Sequence, residues 1–254
     1  MSPVLHAAGI EGIGLWTPQA PSWAAYRGLL QGVPADTATR PAPALLPANE
    51  RRRAPDTVLV ALEAAQAACS AAGRDPAMLP SVFVSTYGDL AITEHLCQTL
   101  ASAPLELSPT RFHNSVHNAA AGYWTIASGA MAPATALSAG FAMGLLEAAA
   151  LLASGAEAVL LVGYDGDAPG LMRQVAASDG LLGGALVLGP ATAGRPRLAL
   201  QLVDGEAPRP SGTIAAGNAM APMLALFEAL ARGADVALLP AGPGRVLRLD
   251  LAHG

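Results

Sequence analysis

The 254-residue chain is long enough to bury one substantial core or two small ones. It is 52% hydrophobic and only 13% charged, with a net charge of −5, so it lacks the basic field that nucleic-acid binding requires. So sparse a set of charges predicts that part of the surface is buried against another subunit.

The N-terminus, MSPVLHAAGIEGIG, has no basic n-region and no signal-peptide shape, which points to a cytoplasmic protein. Residues 4–14 read as β and are then punctuated by glycine. Residues 15–54, rich in Pro, Ala and Trp, read as a long loop with one short helix over Trp23–Leu30. Asp56–Ala72 is a predicted helix, with Val58, Leu62, Ala65 and Cys69 on one face and Gly73 as its stop. Ser81–Tyr87 is a strand, Ala91–Ala101 a helix, Asn114–Ser128 a helix closed by Gly129, and Ala134–Ser138 a short strand. Phe141–Ser154 is a helix and Ala156–Val162 an apolar strand. Gly184–Leu188, Leu198–Val203 and Arg245–Leu251 are further strands, with a helix over Ala219–Ala231 before Gly233. Mean hydropathy is +0.40. Even so, Glu147 and Glu157 interrupt the apolar stretch Leu137–Gly163, leaving no run of the roughly 18–20 residues that a membrane span needs.

Strands alternate with helices and the central strands are continuously apolar, so the expected fold is α/β: one domain over residues 1–254, with a mixed, mostly parallel sheet covered by helices on both faces. The late strands, joined by short polar turns, predict an antiparallel part.

The spacing of Gly9, Gly12 and Gly14 is not that of a nucleotide-binding loop. No CxxC or HExxH is present, so neither a metal nor a cofactor is expected, and Cys69 and Cys97 read as buried reduced thiols. Glu147, within an apolar helix, reads as a carboxylate capped by a partner or facing an interface, with a catalytic acid as the alternative. The most polar segment is SPTRFHNSVHNAAAGYW, Ser108–Trp124. It gathers Arg111, His113, Asn114, His117 and Asn118 at a helix start, where they either satisfy backbone groups or form a site. Ser138 stands between a strand and a helix. It is there either as a small capping residue or as a nucleophile with His113 or His117 as base. Arg51–Arg53 is the one basic run, read as a solvated loop or as an attraction for an acidic carrier protein.

Three stretches together resemble the N-terminal half of the β-ketoacyl synthases, of the thiolase superfamily. In Ser108–Gly129, the positions Ser108, Asn118, Gly122 and Gly129 follow that family's run without a gap. Leu145–Asp165 resembles the helix after the active-site Cys and the next buried strand, and Ser178–Gly205 resembles two later strands of the sheet. The resemblance implies a thiolase-like layered fold over residues 4–205, truncated relative to a full ketosynthase. It also implies a nucleophilic Cys at the start of a helix, where the dipole and backbone N–H groups favour its thiolate. Counting forward from Gly122 places that position at Phe141, and counting back from Gly155 places it at Ser138. The turn Leu137-Ser138-Ala139-Gly140-Phe141 is therefore shortened and contains no Cys. The family's paired histidines and lysine belong to a C-terminal half. After Gly205 this chain offers only a helix, a strand and His253.

A synthase-like chain without the Cys resembles a chain length factor, in particular the short factors of aryl-polyene clusters. That likeness implies a non-catalytic subunit paired with a full-length β-ketoacyl synthase and meeting the acyl carrier protein indirectly. The wall of an acyl tunnel would then lie in Arg111, Phe112, His113, His117, Asn118 and Trp124 and at Phe141. A homodimer with an eroded pocket is the other assembly left open, and a Ser138 acyltransferase or thioesterase is the enzymatic alternative.

Overall fold

The computed structural model describes residues 6–192, 194–208 and 212–254. Residues 4 and 5 of the first expected strand therefore lie outside the described residues. The elements run β1 (His6–Trp16), α1 (Trp23–Leu30), α2 (Ala48–Arg53), α3 (Asp56–Ala72), β2 (Ser81–Ser85), α4 (Leu90–Ser102), α5 (Pro109–Asn114), α6 (Ala119–Ser128), β3 (Ala134–Ser138), α7 (Phe141–Ala153), β4 (Val159–Asp165), β5 (Leu182–Gly189), β6 (Arg197–Asp204), α8 (Leu224–Arg232), β7 (Val236–Pro240) and β8 (Arg245–Ala252).

One eight-stranded mixed sheet has the order β3-β2-β4-β5-β1-β6-β8-β7. The expectation of a mostly parallel sheet needs correcting. Only β3-β2-β4 pair in parallel, and every other neighbour pairing is antiparallel. The helical crossovers that parallel pairing requires are confined to residues 86–158, and β5 onward returns by shorter connections.

Alternation along the central strands supplies two cores. Val82, Val84, Val159, Leu161, Leu186 and Leu188 face α7 and α8. Phe83, Leu160, Val162, Ala185 and Val187 face α3 and α6. The early glycines have a packing role: a Cβ on Gly12 or Gly14 would collide with the carbonyls of Ala68 and Ala64, so α3 lies backbone-close on β1. Gly73 ends α3 at φ 65°, where a side chain would be strained.

Four local expectations are corrected. The 15–54 stretch contains a second helix, α2. A strand, β7, lies between α8 and β8, and the helix expected from Ala219 begins as a 3-10 turn over Ala221–Met223. The expected helix Asn114–Ser128 is broken at residues 115–118. There Asn114 is buried and accepts from the Tyr123 hydroxyl at 3.3 Å, while His117 turns to the Leu137 carbonyl; both are tertiary bonds that a continuous helix would forgo. No helix among the described residues is long and apolar enough to cross a membrane.

Candidate functional site at the start of α7

The carboxyl ends of β2, β3 and β4 meet around a buried carboxylate. Asp165, 1% exposed, accepts from Ser85 Oγ at 2.6 Å, Thr86 N at 3.0 Å and Tyr87 N at 3.2 Å. Burial pushes its carboxyl above the ordinary value, against the pull of those hydrogen bonds. Asn218 donates to the Asp165 and Gly180 carbonyls at 3.1 Å each, and Ser178 Oγ donates to Gly166 O at 2.6 Å. The polar groups of this floor are spent on one another and on the backbone, so the floor fixes the strand ends rather than leaving an acid or base free.

The turn Leu137–Phe141 rises from that floor. Ala139 N donates to Ser85 O at 3.1 Å, and Gly140 precedes α7 without a side-chain cap. Ser138 is exposed and its hydroxyl donates to Thr86 O at 3.2 Å. His117 Nε2 lies 2.9 Å from Leu137 O. A carbonyl only accepts, so Nε2 carries the proton and holds the α5–α6 junction to β3. His113 is exposed and bonds neither Ser138 nor His117. The serine–histidine pair that a hydroxyl nucleophile needs is not formed, and the two histidines share no helix face.

Phe141 is 3% exposed, with its ring against Gly163 and Met223 and 6.1 Å from the Phe227 ring. Beside it lies a cavity of about 40 Å³ bordered by Gly140, Ala142, Met220, Met223, Leu239 and Pro240; its lining carries no titratable or nucleophilic side chain. The α7 N-terminus thus presents a buried apolar ring at Phe141 and an exposed hydroxyl at Ser138, three residues before it.

The other expected site residues separate into three places. Phe112 is 59% exposed, and Arg111 lines a polar cleft of about 890 Å³ with Ser108, Asp89 and Asp167. His113, Val116, Asn118, Tyr123 and Ile126 line an apolar cleft of about 670 Å³ beside Leu46. Trp124 lies outside that wall: it is fully buried against Phe83, 6.3 Å between ring centroids. Cys69 is buried as expected, but Cys97 is exposed, because α4 packs loosely at the rim of the sheet and buries only Leu90 and Glu94. Arg51 is committed to the Pro43 and Leu46 carbonyls at 3.1 and 3.0 Å, while Arg52 and Arg53 have no hydrogen-bond or ion-pair partner among the described residues. Glu147 is half-buried and likewise has no partner among the described residues. The hollow that accepts Phe141 escaped the sequence reading, although glycines inside the apolar strands Val159–Asp165 and Leu182–Gly189 are the signal that would have found it.

A helix-covered mixed sheet with this closed turn defines a thiolase-like layered protein. The chain matches the model of the β-ketoacyl synthase N-terminal domain over residues 23–240, and it belongs to that family. No curated protein sequence matches it. Among solved structures it is similar to a chain from the complex of the ketosynthase ApeO with its chain length factor ApeC from Xenorhabdus doucetiae: 22% identity, TM-score 0.75, 96% of this chain and 99% of that one. It is also similar to a chain from AntDE:AntF, a type II polyketide synthase acyl-carrier protein in complex with its ketosynthase, at 14% identity and TM-score 0.74 over the whole of both chains. A third likeness is to the ishigamide ketosynthase/chain length factor, at 20% identity and TM-score 0.60, covering 78% of this chain and 67% of that one.

Proposed function

We propose that this chain is a catalytically silent ketosynthase-like subunit, a chain length factor, that pairs with a full-length β-ketoacyl synthase in type II fatty-acid or polyketide-like biosynthesis of the aryl-polyene kind. The observation that carries the reading is the start of α7, where the turn Leu137–Phe141 holds no Cys, Phe141 is a buried ring, and the cavity beside it is lined by neither an acid nor a base. Claisen condensation needs an activated thiolate and a stabilised carbanion, and this turn supplies neither. The likeness to structures of ketosynthases with their chain length factors supports the pairing.

The surface supports a partner as well. β3 ends the sheet with its outer edge unpaired among the described residues, and Val116, Ile126 and Met131 nearby are 47%, 86% and 95% exposed. An uncovered strand edge flanked by exposed apolar side chains is a docking surface. There the synthase would close the apolar cleft of Val116, Asn118 and Tyr123 into a wall for the growing chain. The acyl carrier protein would meet the complex through the synthase, with Arg52 and Arg53 free to steer its acidic surface. The exposed free thiol of Cys97 suits a reducing cytoplasm.

The test is co-expression with the ketosynthase encoded nearest to this chain, followed by size exclusion and mass spectrometry. A one-to-one complex is expected. Ile126→Asp, on a side chain that contacts little of its own chain, should weaken the complex at least about tenfold and leave the melting temperature unchanged. A self-sufficient homodimer that ignores the synthase would overturn the reading.

A further inference from the structure

Glu147 is the one charged side chain of α7, and neither α7 nor β3 carries a basic residue. The helix is otherwise apolar on every side, the pattern of a helix covered all round. Its outer flank is not covered here: Met143 and Ala150 are exposed, and Glu147 and Leu151 are only partly buried. The direction of that flank follows from its neighbours. Gly144, a turn before Glu147 on the same side of the helix, packs against Val84 of β2 and Leu161 of β4, whereas Ala142 on the opposite side borders Leu239 and Pro240 of β7. The Glu147 flank therefore looks toward β2 and β3. Val82 and Val84, which face α7, pair in register with Thr135 and Leu137 of β3, so those two face the same way. α6 packs against β3 from the other face. Thr135 and Leu137 are only partly buried. An apolar ledge thus runs from the flank of α7 down to β3, at the open edge of the sheet, and its one charge has no partner among the described residues.

We propose that this ledge receives an apolar segment of the partner subunit that carries one arginine or lysine, set against Glu147. The inference rests on the partner-subunit reading and extends its contact from the α6 side of β3 to the α7 side, so that the open edge is held from both faces. Charge decides the occupant. A second copy of this chain presenting the same face would bring a second Glu147 and no cation, leaving both carboxylates unpaired in an apolar contact. A partner segment without a cation would bury the carboxylate at the same cost. A segment with one covers the apolar flank and pairs its single charge, so the ledge discriminates by the penalty it places on every partner that lacks the cation.

The test is co-expression of Glu147 variants with the ketosynthase encoded nearest to this chain, with the strength of each recovered complex read from its dissociation on dilution by mass photometry. Wild type should give a one-to-one complex. Glu147→Gln and Glu147→Leu should each weaken it at least about thirtyfold, because either leaves the partner's cation buried without its counter-charge. Glu157→Gln, at an exposed carboxylate in the turn beyond α7, should leave the complex unchanged. The isolated Glu147→Gln and Glu147→Leu chains should melt at the wild-type temperature or above, since Glu147 has no partner of its own to lose. Glu147→Leu and Glu147→Gln complexes as tight as wild type would overturn the proposal, and so would isolated variants that melt well below wild type, which would show that the carboxylate serves its own chain. If wild type forms no complex with the synthase, the partner reading fails and the ledge loses its occupant with it. If the complex forms and only Ile126→Asp weakens it, the partner reading stands and the ledge lies outside the contact.

Discussion

Trp124 places its indole N–H in the core with no acceptor within reach, the one such buried side-chain atom among the described residues. An orphaned buried donor costs about 1–3 kcal/mol. Trp124→Phe loses packing area but removes that donor, and it keeps a ring against Phe83. It should therefore change stability by less than about 1 kcal/mol in denaturant melts, whereas Phe83→Ala in the same cluster should cost about 3–5 kcal/mol. The cysteines diverge for a related reason. Burial pushes the Cys69 thiol up to about 12 and seals it from reagent, while Cys97 is exposed. A disulfide reagent at pH 8 should titrate one thiol in the native protein and two after denaturation.

At the scale of elements, an ion pair clamps β1 to the end of α3. Arg74, just past α3, grips Glu11 of β1 at 2.7 and 2.9 Å, and Arg195 approaches the same carboxylate at 3.4 Å. The bond from Arg74 holds the Glu11 carboxyl below its ordinary value despite burial. A carboxyl with a depressed folded pKa stabilises the fold above its unfolded value, and that contribution is lost as pH falls through the folded pKa. Because Arg74 is about a third exposed, the pair is worth roughly 1–2 kcal/mol. Glu11→Gln should lose that much at pH 7 and match wild type at acid pH below the Glu11 pKa, read from melting curves across the range. The same elements show what was legible in the sequence. Helical period and a glycine stop gave α3 to the residue, because local signals and tertiary packing agree there. The break at 115–118 was hidden: Asn114 and His117 are held by partners 9 and 20 residues away, Tyr123 and Leu137. β7 escaped because VALLP is five residues wedged between two glycine-bearing turns, too short to show a period. That the turn Leu137–Phe141 contains no Cys is plain from the sequence. The glycine pair that receives Phe141 is not, since only strand register sets Gly163 opposite Gly184.

Across the whole molecule, the two ends of the sheet are unequal. β7 pairs with β8 on one side and finishes in Pro240, which has no N–H to offer a further strand. β3 carries neither proline nor charge over Ala134–Ser138, and its side chains are only partly covered. An edge left this bare invites another strand. Ala139 N points at Ser85 O on β2, so by the alternation of a parallel ladder the N–H groups of Ala134, Ala136 and Ser138 point outward. Ala136→Pro deletes one outward donor and no bond to β2. Proline is tolerated on an edge in that orientation, so the isolated chain should keep its melting temperature within a few degrees. If the synthase adds its own strand here, the same variant should fail to co-elute with it. A complex that survives Ala136→Pro but not Ile126→Asp would place the contact on the helical face of α6 and leave the strand edge free. Loss with both would make β3 and α6 one continuous interface.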